Sequence, residues 1–592
     1  MFEHYHNWRD VSVDPCENFF KAACGKYNEH NHDPETRFTT KDGIATEIAE
    51  QEAWTQLELI RIIGSPPIFE RNWNETDSEL NDMMYRIGEL GRDQFGFFQF
   101  VVDDQRLFIT RDPITSEDLA TGIEKILNET LRLIDVRPDA DQIDRDIEDV
   151  IKLNDELQEA NTNVSGAIYL SKLQKHISLD FTRIIKSRSD PRRKDEIWER
   201  TQNRTLFETI LQSSSKRTLA NYLMIRFLIS LEKQKTSGKD ICTKEVIKKL
   251  PLAALRMFAR NHFDKENLQI ASDMVEDVIK SFVETIQESS WLHETTKQRA
   301  IKKVENMKKI IGYPKELEIP GTLDWFFESL NLSDINMTYF ETKIEIERFR
   351  IIQSMNYFAG LFPFESDSHY LATNAFYKPW VNELTLNVAF LDDPFFDSTY
   401  PKYAKVASIG GVIGHEIGHG YDPVGRQRDE NGEENNWWTP EDSAEYDRRT
   451  QCLIDQYNEY DDPDFGRNLN GTTTIQEITS DMIGVETSWR TYKKVDFADE
   501  PSIFGFEDEK PDKLFFHLTA LNWCSSRSEF SLAEQLKFKH PTHNFRINGV
   551  FSNMKSFAEA FNCPVGSPMN PEKKCQSLVL KSVNLEHPFL KH

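Results

Sequence analysis

Residues 410–422 read Gly-Gly-Val-Ile-Gly-His-Glu-Ile-Gly-His-Gly-Tyr-Asp, and within them His415-Glu416-Ile417-Gly418-His419 is an HExxH. Positions i and i+4 share one face of a helix, so both imidazoles reach one cation. In helical projection Ile409, Ile413 and Ile417 fall on the back and anchor the core. Ser408, Gly411 and Val412 fall on the histidine face and leave room for a ligand. Each helical glycine costs about 1 kcal/mol of propensity, which a purely structural helix has little reason to carry. The plainer alternative is a pair of surface histidines.

A catalytic zinc needs a third protein ligand and an open position. Ile475-Gln-Glu-Ile-Thr-Ser-Asp481 supplies the best candidate, Glu477. The segment reads as a second helix whose buried stripe is Ile475, Ile478, Met482, Val485 and Trp489. Glu477, Asp481, Gly484 and Ser488 form the adjacent face, and its small residues let another helix come close. Glu477 is then placed to ligate, while Asp481 accepts a hydrogen bond from the outer nitrogen of a ligating histidine. Asp422, three residues past His419, serves the other histidine. Without the HExxH, an ordinary acidic helix face is the better reading.

The surrounding chain is that of a folded globular protein. It has 592 residues, 39% hydrophobic and 29% charged, which excludes disorder and low complexity. The formal charge of −27 repels phosphate backbones and excludes nucleic acid as a partner. No apolar run approaches the length of a membrane span. The start, MFEHYHNWRD, lacks a signal-peptide pattern, which implies a truncated or unusual N-terminus. Of seven cysteines, two lie before residue 25 and three after 520, without a CxxC, as terminal cross-links in an oxidising compartment do; buried free thiols are the other reading. Sequons begin at Asn74, Asn128, Asn163, Asn203, Asn331, Asn336 and Asn470, a mild excess that favours a secreted glycoprotein. Residues 40–310 read as mostly helical, with amphipathic stretches at 141–159, 217–232 and 267–309. The basic run from Lys186 to Lys194 contains Pro191 and reads as an exposed turn. After about 315 aromatics, glycines and prolines become denser, and Asn374–Phe390 alternates as strands do.

Several further blocks carry a resemblance. Asp14-Pro-Cys-Glu-Asn-Phe-Phe with Ala23-Cys-Gly stands near the start, and Arg217-Thr-Leu-Ala-Asn-Tyr-Leu in mid-chain. Asn374-Ala-Phe-Tyr, Pro394-Phe-Phe and Trp437-Trp-Thr flank the HExxH. His540-Pro-Thr-His-Asn-Phe-Arg546 and Met569-Asn-Pro-Glu-Lys-Lys-Cys575 lie near the end. With these, nearly the whole chain resembles the neprilysin and endothelin-converting-enzyme family of zinc metallopeptidases, peptidase family M13. The resemblance implies a mainly α, two-lobed fold. A segment 1–24 would be tied to the catalytic lobe, with a shortened helical cap lobe at 25–325 and a thermolysin-like catalytic lobe at 326–592, enclosing a central cavity. It implies one catalytic Zn2+ on His415, His419 and Glu477, with Glu416 as general base. Asp481 becomes a proton donor as well as a partner of a ligand, and His540 stabilises the oxyanion. Asn374, Ala375 and Arg546 hold substrate backbone. Phe395, Val412 and Trp523 are assigned to a pocket for a bulky apolar side chain after the cleaved bond. The implied disulfides are Cys16–Cys563, Cys24–Cys524 and Cys452–Cys575, with Cys242 left over.

The chain departs from the family in having no early cysteine pair and no membrane helix, a shorter region between Cys24 and Cys242, and a tail beyond Cys575. A smaller cap implies access for larger peptides. Ala45 stands where an arginine reads a free carboxylate in neprilysin, which favours endopeptidase action over removal of C-terminal dipeptides. The expected function is therefore a secreted or ectodomain zinc endopeptidase that cleaves peptides before bulky hydrophobic residues. An aminopeptidase lacks its GxMEN-like segment here. A non-catalytic secreted peptide-binding protein that keeps the fold is the alternative from another class; it predicts lost ligands or a lost Glu416, and all four residues are present.

Overall fold

The computed structural model describes residues 7–30, 66–70, 73, 79–91, 95–103, 106–110, 114–130, 139–160, 165–186, 196–200, 204–232, 246–332, 339–366, 368–392, 395–460, 469–504, 506–524 and 537–576. Ala45, Cys242, most of the basic run after Lys186, the sequons at Asn74, Asn163, Asn203 and Asn336, and the tail end lie outside these residues. The fold is mainly helical. It divides into two compact units, neither continuous in sequence. One comprises Met1–Thr39, Leu255–Lys315 and His369–His592; the other comprises Thr40–Ala254 and Glu316–Ser368. The units part at 39/40, 254/255, 315/316 and 368/369, the third of these where the texture of the sequence changes. Residues 255–315 join the HExxH-bearing unit because Ala271, Val275, Val278 and Phe282 are buried in its core.

In the HExxH-bearing unit we label α1 (Phe19–Cys24), α2 (Glu266–Glu288), α3 (Glu294–Glu305), β1 (Lys308–Gly312), β2 (Ala375–Lys378), β3 (Glu383–Asn387), α4 (Lys402–His419), α5 (Pro440–Asn458), α6 (Gly471–Tyr492), α7 (Pro511–Leu521), α8 (His543–Phe551) and α9 (Lys555–Phe561). The amphipathic run 267–309 is therefore two helices and a strand. The sheet order is β1-β3-β2, with β1 parallel to β3 and β2 antiparallel to it, Ala375 facing Leu386 and Lys378 facing Glu383. β2 is an edge of this sheet.

α4 starts after Pro401, where the Glu500 carboxylate accepts from the Lys402 amide at 2.6 Å. It packs on α2, α6, α7 and β2. Ile409, Ile413 and Ile417 are fully buried on its back. Asn470 caps α6 by accepting from the Thr473 amide at 3.0 Å. The two helices meet through glycine. A Cβ on Gly414 would stand 2.7 Å from the Gly484 carbonyl oxygen, and one on Gly484 would stand 2.6 Å from the His415 nitrogen. The Ser488 hydroxyl donates to the Val406 carbonyl at 2.8 Å one turn further along. Small residues on both helices therefore set their separation.

The N-terminal segment is bound into the same core. Phe19 packs against the rings of His517, Phe551, Phe557 and Phe561. Cys16 is bonded to Cys563, Cys24 to Cys524 and Cys452 to Cys575, the pairing that the resemblance implied. The other unit has its own core, built on Phe95, Phe97, Phe98, Leu223 and Leu228. Its helix Lys216–Glu232 carries Arg217, which grips the Asp146 carboxylate through Nε and Nη2 and donates to the Pro67 carbonyl at 2.7 Å. A four-stranded sheet, in the order Gln99–Asp103, Arg106–Thr110, Glu196–Arg200, Ser165–Tyr169, stands within the stretch that the sequence reads as mostly helical.

The glycine contact is testable. Gly484→Ala has to push backbone apart and should cost about 1–3 kcal/mol of stability. Gly411→Ala meets nothing nearer than Thr519 Cγ2 at 3.7 Å, so it should gain up to about 1 kcal/mol of helix propensity. Urea unfolding with the disulfides intact measures both; equal midpoints would show that the helices do not depend on this contact.

Candidate metal centre

Adjacent turns of α4 present His415 and His419 with ring centroids 4.6 Å apart. α6 brings Glu477 against them: Oε2 lies 3.5 Å from His415 Nε2, and Oε1 lies 3.7 Å from His419 Nε2. One ligand atom from each of the three falls within 4.8 Å of the others. With zinc bonds of about 2.0–2.1 Å, tetrahedral ligand atoms stand about 3.3 Å apart, so the residues present fit the ion.

The outer nitrogens are engaged as well. His415 Nδ1 donates to Asp481 Oδ1 at 2.8 Å, and His419 Nδ1 donates to Asp422 Oδ2 at 2.9 Å. Each carboxylate accepts from Nδ1, which fixes the ring and turns Nε2 toward Glu477. Asp422 is itself fixed, with Oδ1 accepting from the amides of Val424 and Gly425 at 2.8 and 2.7 Å. Asp481 is fixed by Arg546, which donates from Nη2 at 2.6 Å and from Nε at 2.8 Å. The Arg546 guanidinium also lies 3.8 Å from the Trp523 ring centroid.

Burial and charge oppose each other here. Burial alone would discharge His415, but Asp481 and Glu477 outweigh it and push the imidazole up to about 10. Burial raises Glu477, yet His415, His419 and Arg546 hold it down at about 2. Burial likewise opposes ionisation of Asp481, but Arg546 and His415 keep it far below the ordinary carboxylate range. Glu416 is different: burial is the largest influence, and it pushes the carboxyl up against the pull of both histidines. The cluster therefore keeps Glu477 and Asp481 charged and makes Glu416 a stronger proton acceptor than an ordinary carboxylate.

Of the other expected residues, His540 reaches the cluster, with Nε2 3.2 Å from Glu477 Oε2 and a largely exposed side chain. Asn374 immediately precedes β2, and Ala375 is its first residue; the Asn374 carbonyl accepts from the Asn387 amide at 3.3 Å. Phe395, Val412 and Trp523 are partly buried at the margin of the core. Ser408 links their neighbourhood by donating to the Phe395 carbonyl at 2.7 Å and accepting at its own carbonyl from Asn522 Nδ2 at 2.6 Å. Two participants escaped the sequence reading. Ser480 Oγ lies 3.0 Å from His419 Nδ1, and its position three residues after Glu477 was the available signal. His543 Nδ1 donates to the Trp523 carbonyl at 3.0 Å, while burial and then Arg546 push its pKa down to about 4.

Comparison with known proteins agrees with this geometry. Two models of peptidase family M13 match residues 44–314 and 374–577, together most of the chain. Neprilysin-11 of Caenorhabditis elegans is 26% identical, over 97% of this chain and 80% of its own. Neprilysin of Mus musculus is also 26% identical, over 96% and 90%. The crystal structure of Mycobacterium tuberculosis zinc metalloprotease Zmp1 with an inhibitor superposes with a TM-score of 0.71, covering 96% of this chain and 98% of that one, and at 20% identity it speaks for the fold alone. The chain belongs to peptidase family M13 and is a metalloendopeptidase of that family.

Proposed function

We propose that the chain is a secreted or ectodomain endopeptidase with one catalytic zinc, which cleaves peptides on the amino side of bulky hydrophobic residues. The observation that carries this reading is the convergence of two carboxylate-oriented Nε2 atoms on Glu477, with a buried glutamate, Glu416, between the histidines in sequence. Zinc on His415, His419 and Glu477 supplies a Lewis acid that polarises the scissile carbonyl and makes water a nucleophile near neutral pH. Glu416 takes the proton of the attacking water and passes it to the leaving amine. Asp481 holds His415 in the ligating tautomer, and Asp422 does so for His419.

His540 and Arg546 face the negative charge that develops on the carbonyl oxygen; one such donor is worth about 3 kcal/mol in the transition state. Arg546 commits Nε and Nη2 to Asp481, so Nη1 is the nitrogen assigned to a substrate carbonyl. Asn374 and Ala375, at the start of an edge strand, pair with extended substrate backbone. Phe395, Val412 and Trp523 receive the hydrophobic side chain. The three disulfides favour an oxidising compartment. No helix among the described residues is long and apolar enough to cross a membrane.

Hydrolysis of a quenched peptide, with and without a chelator and beside Glu416→Gln, tests the chemistry. The chelator should abolish cleavage and zinc restore it. Glu416→Gln should lower kcat by about 10²–10⁴-fold while the protein still binds zinc. Chelator-insensitive cleavage, or full activity in the variant, would sink the mechanism. The pocket is tested separately with a peptide series varied only after the scissile bond. Phe or Leu there should exceed Gly by about tenfold or more in kcat/KM; a flat series would remove the pocket assignment and leave the mechanism standing.

A further inference from the structure

Lys303 lies on α3, far in sequence from the HExxH, and is 1% exposed. Its Nζ donates to three carbonyls, those of Gly420 at 2.7 Å, Gly425 at 2.7 Å and Arg428 at 2.8 Å. An ammonium has three N–H donors and no acceptor, so three carbonyls match it fully, whereas a neutral amine would turn its lone pair on one of them. Burial is the largest influence and pulls its pKa down to about 7, with the carboxylates of Asp422, Asp429 and Glu430 opposing the fall and Arg428 adding to it; the three carbonyl partners favour the charged form.

The three carbonyls bracket Asp422 within the loop that leaves α4. The same loop is tied to α3 by Tyr421, whose hydroxyl donates to the Ala300 carbonyl at 2.6 Å. Asn382 Nδ2 joins the Lys303 carbonyl to that of Glu430 at 2.9 and 3.1 Å. At Gly425 the loop folds back so closely that a Cβ would overlap the His419 carbonyl. Gly425 connects the two ends of the arrangement, since its carbonyl is held by Lys303 and its amide donates to Asp422 Oδ1 at 2.7 Å. Asp422 Oδ2 in turn accepts from His419 Nδ1 at 2.9 Å.

We propose that Lys303 is a positioning residue for the metal centre: its buried ammonium gathers the 420–428 loop and so aims Asp422 at His419. A side chain of similar length without the charge leaves the Gly420 carbonyl without its donor and takes one of two donors from the carbonyls of Gly425 and Arg428, which keep the Arg428 amide and Trp437 Nε1, and the turn that presents Asp422 loosens. The inference rests on the reading of His415, His419 and Glu477 as metal ligands.

The test uses the metal-free full-length protein, titrated with Zn2+ against a chromophoric chelator and with Co2+ read by visible absorption. Lys303→Met should weaken Zn2+ binding by about tenfold or more and shift the Co2+ bands. In an Asp422→Asn background the same change should add less than about twofold, because both act through one contact. Unchanged affinity and spectrum in Lys303→Met would overturn the proposal. So would an equal loss in both backgrounds, which marks a general effect on the fold. If Lys303→Met does not fold, Lys303→Gln replaces it; if neither folds while Asp422→Asn does, Lys303 is structural only and the proposal fails. Absence of Zn2+ binding by the unaltered protein would instead refute the ligand assignment underneath.

Discussion

The close approach of α4 and α6 is the constraint on which the rest of the centre depends. Two glycines, Gly414 and Gly484, put backbone against backbone at the crossing. Only at that separation can Glu477, one helix away, reach the Nε2 atoms of both His415 and His419. The glycines weaken each helix taken alone by about 1 kcal/mol apiece. The loss is offset by packing, since both helices are buried over most of their length and share one core. The close crossing thus trades helix propensity for ligand geometry.

Bringing helices together also brings their charges together, and the buried cluster is stable only if each charge is answered. Asp481 alone in this environment would be costly, as unpaired buried charges are. Arg546 meets it with two hydrogen bonds, and His415 adds a third. Asp422 is answered differently, by backbone amides and an imidazole. One histidine is thus oriented by a helix-borne ion pair and the other by a loop. The loop has no helical ladder of its own to hold Asp422, so its attachment to α3 matters more than α3's distance in sequence suggests.

What the sequence disclosed follows from how local each signal is. The HExxH, the buried stripe of α6 and the acidic pair Glu477 and Asp481 are periodic patterns within single helices, so they could be read directly. The strand alternation around 374–390 was legible for the same reason, and Asn382 marks its turn with a positive φ of 52°. Lys303 was not legible. It sits beside Lys302 in a helix rich in charge, and nothing local distinguishes the buried lysine from the exposed one. The strands Gln99–Asp103 and Arg106–Thr110 lie in a region of helical texture; they pair with each other, and Arg106–Thr110 is joined to the rest of the sheet through Glu196–Arg200, about 90 residues away. The discontinuity of the units was hidden likewise, since it is set by which core α2 joins.

That discontinuity gives the disulfides a particular task. Cys16–Cys563 and Cys24–Cys524 span 547 and 500 residues, so each closes a loop that contains the whole of the other unit. The entropy of closing a loop grows only slowly with its length, so long spans are not prohibitively costly. The two are also not independent. Once either has formed, the other closes only the short ring made by residues 16–24 and 524–563. Their combined effect on the unfolded chain is therefore well below twice that of one bond. What the second bond adds is local: two attachment points fix the orientation of α1, one would leave it free to pivot. Phe19 lies between them, packed against α7, α8 and α9, and α8 is the helix that carries Arg546. The N-terminal segment thus braces the helix that neutralises Asp481, which links the first residues of the chain to the orientation of His415.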